Sequence, residues 1–121
     1  MLRDQETLVD IFTAINLIFQ YMEGVDFKAF VKSTEKQDAV LRRITIIGEA
    51  TKRLSRDFRS QHSSIPWKEI AGIRDVIIHD YDEVDCEEIW TVIEDNLPIL
   101  FNYIKPLIAS EDSKKNLKND F

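Results

Sequence analysis

The stretch DQETLVDIFTAINLIFQYM, residues 4–22, decides the fold class. Its apolar positions Leu8, Ile11, Phe12, Ile15, Ile18, Phe19 and Met22 fall three and four residues apart. Such spacing lines one face of an amphipathic helix. Gly24 then ends that helix, because glycine tolerates the left-handed cap conformation.

The same period recurs downstream. A short helical turn is predicted over Phe27 to Lys32, then a long helix from about Glu35 to Arg59. Val40, Ile44, Ile47, Thr51 and Leu54 form its buried row. Gly48 sits inside that helix, where glycine costs roughly 1 kcal/mol against alanine. Close approach of a second helix is the expected reason.

Ser60 to Ser64 reads as a loop. Pro66 suits the first turn of a following helix, where its missing N–H costs nothing. That helix carries Trp67, Ile70, Ala71, Ile73, Val76 and Ile77 and is predicted to fade near Tyr81. Asp85 followed by Glu88 resembles a capping box with Asp in place of Ser or Thr. Glu87 and Glu88 also suit the positive end of the last helix, which runs through Ile89, Trp90, Ile93 and Leu97 to about Ile108. Pro98 is expected to kink it. The reading is therefore all-α: an up-and-down bundle of four to five helices over residues 1–110, with a polar, frayed tail over 111–121.

Composition agrees. The chain has 121 residues, 44% hydrophobic and 31% charged, with only three Gly and three Pro. That suits one globular domain rather than a disordered chain, and few punctuating residues favour helix. Apolar runs are short, so no membrane span is expected. The first residues lack the basic start and apolar run of a signal peptide. Cys86 is the only cysteine, which excludes an intrachain disulfide and, with only His62 and His79, argues against a zinc site. A reducing cytoplasm is the natural setting. The net charge of −6 argues against a general nucleic-acid binder, so any RNA contact must rest on local charge.

The chemistry concentrates in IPWKEIAGIRDVIIHDY, residues 65–81. Four residues separate Arg74 from His79. Five helical steps leave the two side chains roughly 140° apart. A long arginine still reaches the histidine if the helix unwinds near its end, and Tyr81 joins them only there. Histidine exchanges protons near neutral pH. Arginine offers a fork of donors to a phosphate. Together they could remove a proton from a ribose 2′-hydroxyl and stabilise charge on the attacked phosphate without a metal or other cofactor. One histidine cannot easily serve as base and acid in a single step, whereas two chains at a twofold axis supply two of each. In the opposing reading, His79 caps a helix C-terminus and Arg74 pairs with Asp75 or Asp80.

The longer string resembles the HEPN superfamily, and within it the HepT-like toxins encoded beside a minimal nucleotidyltransferase antitoxin. The resemblance rests on Arg74, four residues, His79, one residue, Tyr81. Ile65-Pro66-Trp67 before the motif, Val84-Asp85 and Ile89-Trp90 after it, and Ile46-Ile47-Gly48-Glu49-Ala50 add to it. It covers roughly Asp4 to Ile108. The resemblance implies a HEPN-type bundle that forms a homodimer with both motifs facing one cleft. It implies metal-independent RNA cleavage by Arg74 and His79, in the toxin of a type VII-like toxin–antitoxin system. In some members the partner nucleotidyltransferase attaches AMP to the motif tyrosine, here Tyr81, blocking the cleft with charge and bulk. Asp75, Asp80 and Glu49 stand as supporting residues. RNA is the expected substrate, with no DNA and no membrane partner.

One feature departs from the family. Relatives often carry an aromatic and a glycine after the motif, where this chain has Asp82 and Glu83. With Asp80, Asp85, Glu87 and Glu88 that makes six acids between positions 80 and 88. They would repel RNA from that side and favour a basic partner surface. The alternative function is thus a non-catalytic HEPN dimer that binds nucleotide or docks a nucleotidyltransferase. Lys52, Arg53, Arg56 and Arg59 form a basic cluster that could hold an RNA backbone or simply be a solvated face, with Glu49 pairing Arg53. His62 reads as exposed. Acidic neighbours argue against a reactive Cys86 thiol. Trp67 and Trp90 read as core or dimer-contact residues, and Ile46 and Ile78, off the main stripes, suggest a second buried surface.

Overall fold

The first apolar stripe closes as its spacing requires. In a computed structural model, which describes residues 2–79 and 83–119 (the backbone alone for residues 2 and 109–119), α1 spans Leu2–Tyr21. Leu8, Ile11, Ile15, Ile18 and, just past the helix, Met22 are buried. Each such side chain contributes about 1.5–3 kcal/mol of transfer free energy. Gly24 adopts φ +73° and turns the chain. Asp26 then caps α2 (Phe27–Lys32) by accepting from the Ala29 N–H at 2.8 Å.

Ser33 ends α2 and caps α3 (Thr34–Lys52), accepting from the Lys36 N–H. The expected row Val40, Ile44, Ile47, Thr51 and Leu54 is buried. Thr51 is tolerated there because its hydroxyl donates to the Ile47 carbonyl at 2.8 Å. Gly48 is also buried against the next layer, as close helix approach required.

The long helix does not reach Arg59. It stops at Lys52, and a separate α4 (Arg56–Gln61) begins after Ser55. Both the backbone N–H and the hydroxyl of Ser55 donate to the carboxylate of Asp4, at 2.8 and 2.6 Å. The same hydroxyl accepts from the Phe58 N–H at 3.0 Å. Serine competes for its local backbone in this way and favours a cap over a helix interior. The partner that fixes the break lies 51 positions away, out of reach of a periodicity argument.

His62, expected to be exposed, is half-buried instead. Its ring lies tilted against Phe58 at 4.3 Å and its Nδ1 shares a 2.7 Å hydrogen bond with the Tyr103 hydroxyl. Its carbonyl accepts from the indole N–H of buried Trp67 at 2.9 Å.

The helix predicted from Pro66 to Tyr81 is shorter and divided. Pro66 occupies the cap position, α5 covers Trp67–Ala71, Gly72 separates it from α6 (Ile73–Ile77), and the backbone then extends. Val76, Ile77 and Ile78 are three β-branched residues in a row, which weakens helix and favours strand. β1 (Ile78–His79) pairs antiparallel with β2 (Glu83–Val84), Ile78 opposite Val84 and His79 opposite Glu83. The Asp85 N–H donates to the Ile77 carbonyl at 2.9 Å and extends this ladder.

Asp85 caps α7 (Cys86–Thr91), accepting from the Glu88 N–H as its spacing predicted. A wide π turn, Val92–Asn96, leads into α8 (Leu97–Asn119). The turn sits just before Pro98, whose ring crowds the preceding turn and which has no N–H to donate. The disturbance expected at Pro98 takes this form. Leu97, Leu100, Ile104 and Ile108 face the core, and α8 continues to Asn119 through the segment expected to be a tail.

The protein is mostly helical. α1 packs between α3 and α8, α3 also bears α5 and α6, and α7 meets α2 and α6. Phe12 and Phe19 of α1 close on Phe101 of α8, at 4.6 and 5.4 Å. Trp90 packs edge-on against Phe27 at 5.5 Å. Ile46 and Ile78 are partly buried against the core. Among the described residues no helix is long and apolar enough to cross a membrane.

Candidate active site

Arg74 and His79 leave the core on different elements. Gly48 lets the α5–α6 junction settle onto α3: a Cβ at position 48 would lie 3.3 Å from the Ala71 carbonyl oxygen and 3.4 Å from that of Ile70. α6 therefore starts close against α3 and presents Arg74, exposed, over one side of that helix. Arg74 shares a shallow hollow with Asp38, Leu41, Arg42, Thr45 and Glu49 of α3. These α3 positions are spaced three, four and seven apart and form their own helical stripe beside the buried one. That spacing is present in the sequence, and it is the signal that points to Arg42 and Thr45, which motif reasoning passes over.

His79 lines a second hollow with Phe27, Val31, Glu83, Val84, Asp85, Cys86 and Glu87. The two hollows share no lining residue. Arg74 thus borders a hollow on α3, and His79 one beside β2 and the start of α7. His79 sits on β1, with its side chain 56% exposed, and its Nε2 lies 3.2 Å from Oδ2 of Asp85. The sequence marks Asp85 only as a cap. The β1–β2 pairing brings it beside His79, which no helical periodicity could indicate.

The carboxyl of Asp85 is held below its ordinary value of 3.8, first by the hydrogen bond from the Glu88 N–H and then by that from His79. It is therefore an acceptor-only carboxylate at neutral pH. Burial, together with the neighbouring Asp85 charge, pushes the Cys86 thiol up. That agrees with an unreactive cysteine.

The other expected site residues are dispersed. Asp80 and Tyr81 lie outside the described residues. Asp75 is exposed, and no Arg74–Asp75 ion pair forms. Glu49 does border the Arg74 hollow, but its carboxylate pairs with Lys52 at 3.1 Å rather than with Arg53. Arg59 folds back to donate to the Lys52 carbonyl at 2.9 Å, closing the end of α3. Arg53 and Arg56 are exposed and form no ion pair among the described residues.

The model of the family described as "Ribonuclease HepT-like" matches residues 11–107. The chain belongs to the HepT-like ribonuclease family. "Putative RNase TTE0752" of Caldanaerobacter subterraneus subsp. tengcongensis is 40% identical over 94 residues, covering 78% of this chain and 84% of that protein. "Probable ribonuclease HepT" of Thermococcus cleftensis is 38% identical over 96 residues, covering 79% of this chain and 87% of that protein. No solved structure matches. The matched HepT-like region holds both hollows and the whole Arg74–His79–Tyr81 motif.

Proposed function

We propose that this HepT-like protein is a metal-independent endoribonuclease, the toxin of a type VII-like toxin–antitoxin pair, acting as a homodimer. The observation that carries this reading is the complete Arg74, His79 and Tyr81 motif within a chain of the HepT-like ribonuclease family. His79 takes the proton of a ribose 2′-hydroxyl. The 2′-oxygen bonds to the adjacent phosphorus, and the bond from phosphorus to the 5′-oxygen breaks. The products are a 2′,3′-cyclic phosphate and a 5′-hydroxyl, whose proton comes from the second chain's imidazolium or from water. Arg74 donates to the non-bridging oxygens as their charge grows.

The separation of Arg74 and His79 into two hollows supports a composite site, since a second copy can bring one chain's arginine toward the other's histidine. In this reading Tyr81 is where a minimal nucleotidyltransferase antitoxin attaches AMP, placing phosphate charge where RNA must lie. The test is cleavage of a labelled RNA by the purified chain in excess chelator. Arg74→Ala and His79→Ala, each folded, are expected to lose it; cleavage that needs an added divalent ion contradicts the metal-independent mechanism.

A second reading is favoured by Glu83, Asp85 and Glu87 around His79. Those charges repel an RNA backbone and suit a basic protein surface. In that reading the dimer docks a nucleotidyltransferase or binds nucleotide and cuts nothing. Complex formation without RNA cleavage would favour it.

A further inference from the structure

We infer that Asp85 is a positioning residue for His79, fixing which imidazole nitrogen exchanges the proton; this rests on the ribonuclease reading above. Three contacts immobilise Asp85. Its N–H donates to the Ile77 carbonyl at 2.9 Å, which ties it to the end of α6, just before β1. Its Oδ1 accepts from the Glu88 N–H at 3.0 Å, which ties it to the start of α7. Its Oδ2 then meets Nε2 of His79 at 3.2 Å. An ionised carboxylate only accepts, so Nε2 must be the donor. Nδ1 is left as the nitrogen with a free lone pair, and Nδ1 takes the 2′-hydroxyl proton. When it does, the imidazolium forms beside a carboxylate already in place, with no side chain to reorganise.

Among the described residues, Asp85 is the side-chain partner of His79. Glu83 lies opposite His79 across the β1–β2 pair, and Glu87 and Cys86 line the same hollow. The bond that the structure gives His79 is the one to Asp85. Sequence spacing accounts for Asp85 as a helix cap, but a cap needs only one carboxylate oxygen. The second oxygen is directed to the motif histidine.

Two measurements on the full chain test this. The first follows the Asp85 carboxyl by carbon NMR through its titration, in wild type and in His79→Ala. The midpoint is expected below 3.8 in wild type and to rise part-way in the variant, because the Glu88 bond remains. An identical midpoint in both proteins overturns the contact. The second compares Asp85→Ser and Asp85→Asn in RNA cleavage. Serine still caps α7 but is too short to hold His79, so kcat should fall about ten- to hundredfold with KM unchanged, the range for an outer partner orienting a functional histidine. Asparagine keeps the cap with its one amide oxygen but turns its NH2 toward His79, which favours the other imidazole tautomer, so its kcat should fall at least as far as that of serine. Undiminished kcat in a folded Asp85→Ser protein overturns the positioning role. A wild type that cuts no RNA defeats the ribonuclease reading instead, and the carboxyl titration still decides whether the contact exists.

Discussion

Gly48 of α3 lies under the carbonyl oxygen of Ala71, so close that a Cβ there would sit 3.3 Å from it. The neighbouring atom is backbone at the end of α5 and cannot rotate away. This contact sets how near the α5–α6 junction, and so Arg74, approaches α3.

A branched side chain at this position should therefore force the layers apart. Gly48→Val is expected to lose about 2–3 kcal/mol, the upper range for overpacking a close contact, read by urea denaturation. Wild-type stability in this variant would mean that the α5–α6 junction shifts freely.

The bonds from Ser55 to Asp4 join the end of α3 to the start of α1. Asp4→Ala leaves a part-buried N–H and hydroxyl without their acceptor, which should cost about 1–3 kcal/mol. The double variant with Ser55→Ala should be less destabilised than the sum of the singles. Strict additivity across that cycle would show that the two residues act independently.

Acid should weaken the segment that carries His79. The Asp85 carboxyl is lowered in the folded chain, so its contribution to stability is fully present above its ordinary value of 3.8 and fades as pH falls toward its lowered folded value. In Asp85→Asn that part of the pH dependence should vanish while the α7 cap persists at neutral pH. Thermal melts of both proteins between pH 6 and pH 3 check this; parallel curves would contradict it.

The basic cluster should divide in function. Arg53 and Arg56 are exposed, whereas Lys52 is paired with Glu49 and Arg59 closes α3. Arg53→Glu and Arg56→Glu should raise KM for RNA and flatten its salt dependence, by roughly one unit of log–log slope for each phosphate no longer neutralised. Arg59→Ala should instead act on stability. An unchanged KM and salt slope in both reversals would remove this face from RNA binding.

The long stripes of α1, α3 and α8, the turn at Gly24, the Asp85 cap and the disturbance at Pro98 were legible in the sequence because each rests on local chemistry. The break at Ser55 was not, since Asp4 enforces it from a distant part of the chain. Helical periodicity through Ile73, Val76 and Ile77 concealed the β-branched run that turns the chain into β1. With β1 hidden, the pairing of Asp85 with His79 was hidden too. His62 looked like a loop residue because Tyr103, its partner, lies on α8.

In the proposed mechanism His79 carries the RNA-cutting activity. The most direct test is growth after inducing wild type and His79→Ala, each expressed alone, with total RNA examined alongside. Wild type is expected to arrest growth and cut RNA, while the folded variant loses about 10²–10⁴-fold in cleavage, the usual worth of a positioned acid–base group. Equal growth with intact RNA in both would contradict it and leave a nucleotidyltransferase-binding module in its place.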